Sequence, residues 1–140
     1  MTQPRGMQRK TFLSIAAVIG LTVGLFASLA PGALLAGKGI VEPVGATEVW
    51  VREVGVAIIA ISATSFAVRS HGDSPTLRVL LLGNAFFQAM LFPIELVAYA
   101  RGIITTVAGV APNSVLHVLL ATGFVYYARR AGGEVAADRA

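Results

Sequence analysis

The chain has 140 residues, of which 56% are hydrophobic and only 13% charged, against roughly 25% charged in an ordinary soluble domain. A soluble domain of this length could not hide so much apolar surface, and the absence of cysteine excludes disulfides, thiolate metal sites and cysteine nucleophiles. The net charge of +4 does not mark a nucleic-acid binder, because the basic residues cap hydrophobic blocks and form no patch with interleaved aromatics. Lipid is the expected solvent.

The first hydrophobic block, TFLSIAAVIGLTVGLFASLA (residues 11–30), has about the twenty apolar residues that cross ~30 Å of hydrocarbon. Pro31 and Gly32 are expected to end it. A cleaved leader is the rival reading, since Arg5, Arg9 and Lys10 form a basic n-region before the apolar run. Against it, the apolar core exceeds the usual 7–15 residues and Pro31 would follow the cut, so a retained helix is expected. The second block (residues 49–68) has Arg52 and Glu53 in its first turn and Arg69 just past its end, with Trp50 placed as an interfacial anchor. A polar link carrying His71, Gly72 and Pro75 leads to the third block, residues 77–99. Pro112 divides the fourth stretch. The sequence predicts a loop or re-entrant segment over residues 102–112 and a span over residues 113–127, with Asn113 or Ser114 as N-cap. Residues 1–10 and the small, polar residues 129–140 are expected as an N-terminal segment and a mobile tail.

The expected architecture is therefore all-α, an integral membrane four-helix bundle. Lysines and arginines orient it. Arg5, Arg9, Lys10, Arg69, Arg78, Arg129, Arg130 and Arg139 fall on one side, whereas only Lys38, Arg52 and Arg101 fall on the other. Because cytoplasmic segments are enriched in these residues, both termini are expected in the cytoplasm.

With this topology the outer side collects Arg52, Glu53, Glu95, Arg101 and His117. In the third span, Asn84, Gln88 and Glu95 are spaced four and seven apart, which places them within about 40° on one helical face. Such a stripe faces a partner other than lipid. One reading is structural: Arg52 pairs with Glu95 or Glu53, while Asn84 and Gln88 bond across helices. The other is a pocket on the outer face lined by Arg52, Gln88, Glu95 and His117 that binds a headgroup, a small ligand or a proton. His117 alone is a weak candidate for an axial ligand to haem or a chlorin. No metal or cofactor is predicted, and no second carboxylate or nucleophile stands at a spacing diagnostic of catalysis. Gly20, Gly24 and Ser28 form a small-residue face on the first span, expected to pack on the second near Gly55. Pro93 removes a backbone bond to Ala89, and a kink opening the outer half of the third span is expected.

The second span, VREVGVAIIAISATSFAVR, with Arg52 three residues before Gly55, resembles the equivalent helix of the DoxX-like group of small four-helix membrane proteins. The resemblance covers that motif and the four-span layout. It implies a bacterial inner-membrane protein in an accessory role within a membrane complex, with membrane lipid and other subunits, or further copies of itself, as partners. A non-catalytic accessory or assembly subunit is thus the leading expectation, and a small transporter or ligand-binding protein built around Glu95 the second.

Overall fold

The computed structural model describes the backbone of residues 7–137 and the side chains of residues 7–131. Residues 1–6 with Arg5, and residues 138–140 with Arg139, lie outside the described residues. Within these bounds the chain is all-helical: α1 (Arg9–Leu29), α2 (Pro31–Gly37), α3 (Gly45–Ala67), α4 (Pro75–Ala100) and α5 (Val107–Ala137). All but α2 are long and apolar enough to cross a membrane. This is the makeup of an integral membrane protein, since a helix satisfies its backbone polar groups internally.

The helix boundaries follow from local chemistry. Pro31 ends α1 as expected but also opens α2, where its missing N–H costs nothing in the first turn. At the start of α4, Ser74 Oγ accepts from the Leu77 N–H at 3.1 Å and Pro75 occupies the first helical position. Two helices end on left-handed glycines, Gly39 (φ 80°) after α2 and Gly102 (φ 69°) after α4. In both, the next two N–H groups fold back onto the last turn: Gly39 to Ala36 and Ile40 to Leu35, Gly102 to Tyr99 and Ile103 to Ala98. This is the Schellman arrangement, and it satisfies carbonyls that would otherwise be orphaned.

Three expectations are corrected. Pro112 lies inside α5, so the predicted loop over residues 102–112 shrinks to the turn before Val107. Proline forfeits one bond, to the carbonyl four residues back, and membrane helices tolerate that loss. Asn113 is consequently a mid-helix residue and not an N-cap. The expected tail is helical as far as Ala137. Pro93 lies inside α4, within the span expected for the third block.

Helices α1 and α3 pack along one another, as do α4 and α5, and α1 also meets α5. The tightest core joins α1, α4 and α5 near the N-terminus. Phe12, Leu13, Leu81, Phe124 and Ala128 are all buried there, with the Phe12 and Phe124 rings edge to face at 5.1 Å. Lipid offers no hydrophobic drive for helix association, so close dispersion contact of this kind does the holding. Polar ties reinforce this end: Arg9 pairs with Asp73 and donates to the His71 carbonyl, and the Tyr127 hydroxyl donates to the Met7 carbonyl.

The α1–α3 seam is built from small residues. A Cβ on Gly24 would come within 2.8 Å of the Gly55 carbonyl and 3.1 Å of the Ile59 nitrogen, and one on Gly55 within 2.8 Å of the Ser28 nitrogen. Gly20 lies against Ser62 in the same way. The face formed by Gly20, Gly24 and Ser28 is therefore occupied by α3 of the same chain.

Candidate functional site

Helices α3 and α4 are joined by a short link, yet they are not packed along one another; each belongs to a different helix pair. Between the pairs runs a cleft of about 400 Å³. Its walls are mainly apolar, with Val23, Ile58, Phe87, Leu91 and Leu116 among them. Because α1 and α5 meet on the far side, the open side lies between α3 and α4. Trp50 stands at the rim, 67% exposed.

At the α2 end the cleft is closed by a polar cluster centred on Glu95. Glu95 Oε1 accepts from Lys38 Nζ at 2.5 Å and from Asn113 Nδ2 at 3.0 Å. Its second oxygen, Oε2, is buried without a hydrogen-bond partner and lies 3.8 Å from His117 Nε2. The other imidazole nitrogen, Nδ1, is 2.6 Å from Gln88 Oε1. Three elements contribute, the α2 cap, α4 and α5, and all of these side chains are partly or largely buried. Gln88 and Glu95 share a face of α4, as the spacing predicted, while Asn113 and His117 stand one turn apart on α5.

Lys38 reaches the cluster because the backbone around it is fixed from two directions. It caps α2 just before Gly39, and its carbonyl accepts from the Thr105 N–H at 3.2 Å. Thr105 Oγ1 donates to the Gly39 carbonyl and Thr106 Oγ1 to that of Gly37. The α2 end is thereby stitched to the start of α5. Gly109 permits the approach, since a Cβ there would lie 2.7 Å from Lys38 Cα. The ammonium also donates to the Gly109 carbonyl at 3.3 Å.

The remaining predicted residues divide. Asn84 lines the cleft deeper in, with Nδ2 on the Leu80 carbonyl and Oδ1 at 3.5 Å from Ser65 Oγ. Arg52, expected to pair with Glu95 or Glu53, instead donates to the Ser28 carbonyl at 2.8 Å and is exposed. It sits on the α1 flank of α3, so it ties α3 to the end of α1. Glu53 and Arg101 are exposed and make no side-chain hydrogen bond or ion pair among the described residues. The cation of the site is therefore Lys38, which sequence reasoning counted only as a loop charge. His117 lines the cleft, with Nε2 3.8 Å from Glu95 Oε2. Among the described residues no three His, Asp or Glu side chains converge as a metal site would require.

The fold and the site together define a class: a helical membrane protein with a largely apolar cleft that ends in a partly buried ion pair. Comparison with protein-family models, curated proteins and solved structures found no match for this chain.

Proposed function

We propose that this chain is a non-catalytic membrane protein that binds a small amphipathic molecule in the cleft between its two helix pairs. The observation that carries the reading is the union of an apolar cavity with a convergent polar end: Lys38, Gln88, Glu95, Asn113 and His117 close one end of a cleft walled by aliphatic and aromatic side chains. Ligand sites have this makeup, mostly apolar with a few polar groups that fix orientation. A purely structural network would be expected to sit in close-packed surroundings.

The proposed setting is a four-helix bundle with both termini cytoplasmic, of DoxX-like type, in a bacterial inner membrane. The charge asymmetry of the loops supports the orientation, and the Arg52–Gly55 motif supports the resemblance. Of the two functions expected from the sequence, ligand binding is the one with a built site. The accessory-subunit role rests on the resemblance and the four-span layout alone.

The test is to purify the protein in native lipid discs and quantify both small molecules and proteins that accompany it at fixed ratio. A small molecule retained by the wild type and lost from Ile58→Trp, which fills the cleft wall, is the expected result. A stoichiometric protein companion with no retained small molecule would replace this reading with the accessory one.

A further inference from the structure

The chemistry of the bound head can be read from the hydrogen-bond roles at the closed end of the cleft, resting on the ligand-binding reading above. With Gln88 turned so that its carbonyl Oε1 lies 2.6 Å from the ring, the tautomer that fits this amide orientation donates from Nδ1. In the neutral ring Nε2 is then a bare acceptor. It faces Glu95 Oε2, a second acceptor, across 3.8 Å, and that oxygen is buried with no donor in reach. The nearby donors are aimed at other acceptors. Lys38 serves Glu95 Oε1 and the Gly109 carbonyl, and Asn113 serves Glu95 Oε1. Two acceptors, of which the carboxylate oxygen is buried, thus face one another across 3.8 Å with no donor between them, an arrangement that costs free energy out of water.

Charge narrows the class further. Lys38 balances Glu95, so the site has no net charge left to offer an ionic head. An anionic head would bring acceptors to a place that already has too many, and a cationic one would lie beside the Lys38 ammonium. We infer that the cleft takes an amphiphile whose head is uncharged and carries two hydrogen-bond donors, such as the vicinal diol of a monoacylglycerol or a primary amide, seated on Glu95 Oε2 and His117 Nε2. The acyl body lies along Leu116, Leu91 and Ile58. Sites built to pair with a ligand's O–H or N–H groups discriminate strongly against analogues that lack them.

Trp50, the single tryptophan, stands at the rim and reports occupancy through its emission. The full chain in phosphatidylcholine nanodiscs is titrated with a short-chain 1-monoacylglycerol, with the primary amide, and with the fatty acid of the same chain length at a pH where the acid is ionised. The expected result is saturable binding of the first two at least about tenfold tighter than the acid. In Glu95→Gln, whose new amide supplies its own donor to His117 Nε2, that preference collapses to within about threefold. Equal or tighter binding of the fatty acid to the wild type overturns the head-group assignment while leaving the cleft as a ligand site. No saturable response from any of the three overturns both.

Discussion

The two ends of the helix set are closed by different means. Near the N-terminus, α1, α4 and α5 meet through rings and branched side chains, with Leu13, Leu81 and Ala128 fully buried. At the α2 end the helices are joined by a polar cluster and a pair of stitched loops, and between them lies a cleft of about 400 Å³. Interdigitated apolar side chains leave no room for anything else. A network of charges and amides holds helices at the length of its own bonds, and so can prop a cavity open.

The largest expected effect comes from unbalancing the network. Lys38→Met leaves the Glu95 carboxylate buried without its cation, and removing one partner of a buried pair costs about 3–5 kcal/mol. Both side chains are less than a fifth exposed, at 17% and 13%, so screening by water recovers little. Replacing both, as Lys38→Met with Glu95→Leu, should return most of that loss, because a hydrophobic pair of similar volume is often neutral. Reversible unfolding in mixed micelles measures each step. A single variant as stable as the wild type would mean that the pair does not organise the α2 end.

The next effect belongs to the small-residue seam. Gly24→Leu would drive a side chain into the Gly55 carbonyl and the backbone of Ile59, where the nearest atoms lie at 2.8 Å from a first added carbon. Overpacking of this kind costs about 1–3 kcal/mol. Gly83→Ala on α4 is the matched control, since nothing lies within 4 Å of its Cβ. That change should be neutral or stabilising by up to about 1 kcal/mol through helix propensity. Equal losses in both variants would show that helix chemistry, and not close approach of α1 to α3, sets the sensitivity.

Much of the fold was legible because hydropathy needs no knowledge of partners. The blocks at residues 11–30, 49–68 and 77–99 correspond to α1, α3 and α4 with ends shifted by a few residues. The fourth misled because proline is read as a boundary when only local cost is weighed; the packing of α5 on α4 absorbs the bond lost at Pro112. At the site, Gln88 and Glu95 were found through their shared helical face, and His117 through the end of the span on which it lies. Lys38 left no such signal. Its position depends on a left-handed glycine and on hydrogen bonds to residues 105 and 109, all contacts between distant parts of the chain. Asn113 looked like a cap because its role as a donor to Glu95 appears only once α5 is extended through Pro112.

The smallest expected effect separates the two candidate cations. Arg52 opens the motif that carried the resemblance, and its charge made it the natural mate of Glu95, yet its guanidinium reaches the Ser28 carbonyl at the end of α1. Arg52→Ala removes one exposed hydrogen bond between α3 and α1, worth about 1 kcal/mol or less. The cleft cluster does not include it, so monoacylglycerol affinity read from Trp50 emission should stay within about twofold, well inside the tenfold that 1.4 kcal/mol represents. Lys38→Met, compared at a temperature where it remains folded, should instead change affinity severalfold, because freeing Glu95 Oε1 alters the acceptor balance of the whole site. If Arg52→Ala proved the more damaging to binding, the ligand would have to lie on the α1 flank of α3, and the cleft would lose its claim to be the site.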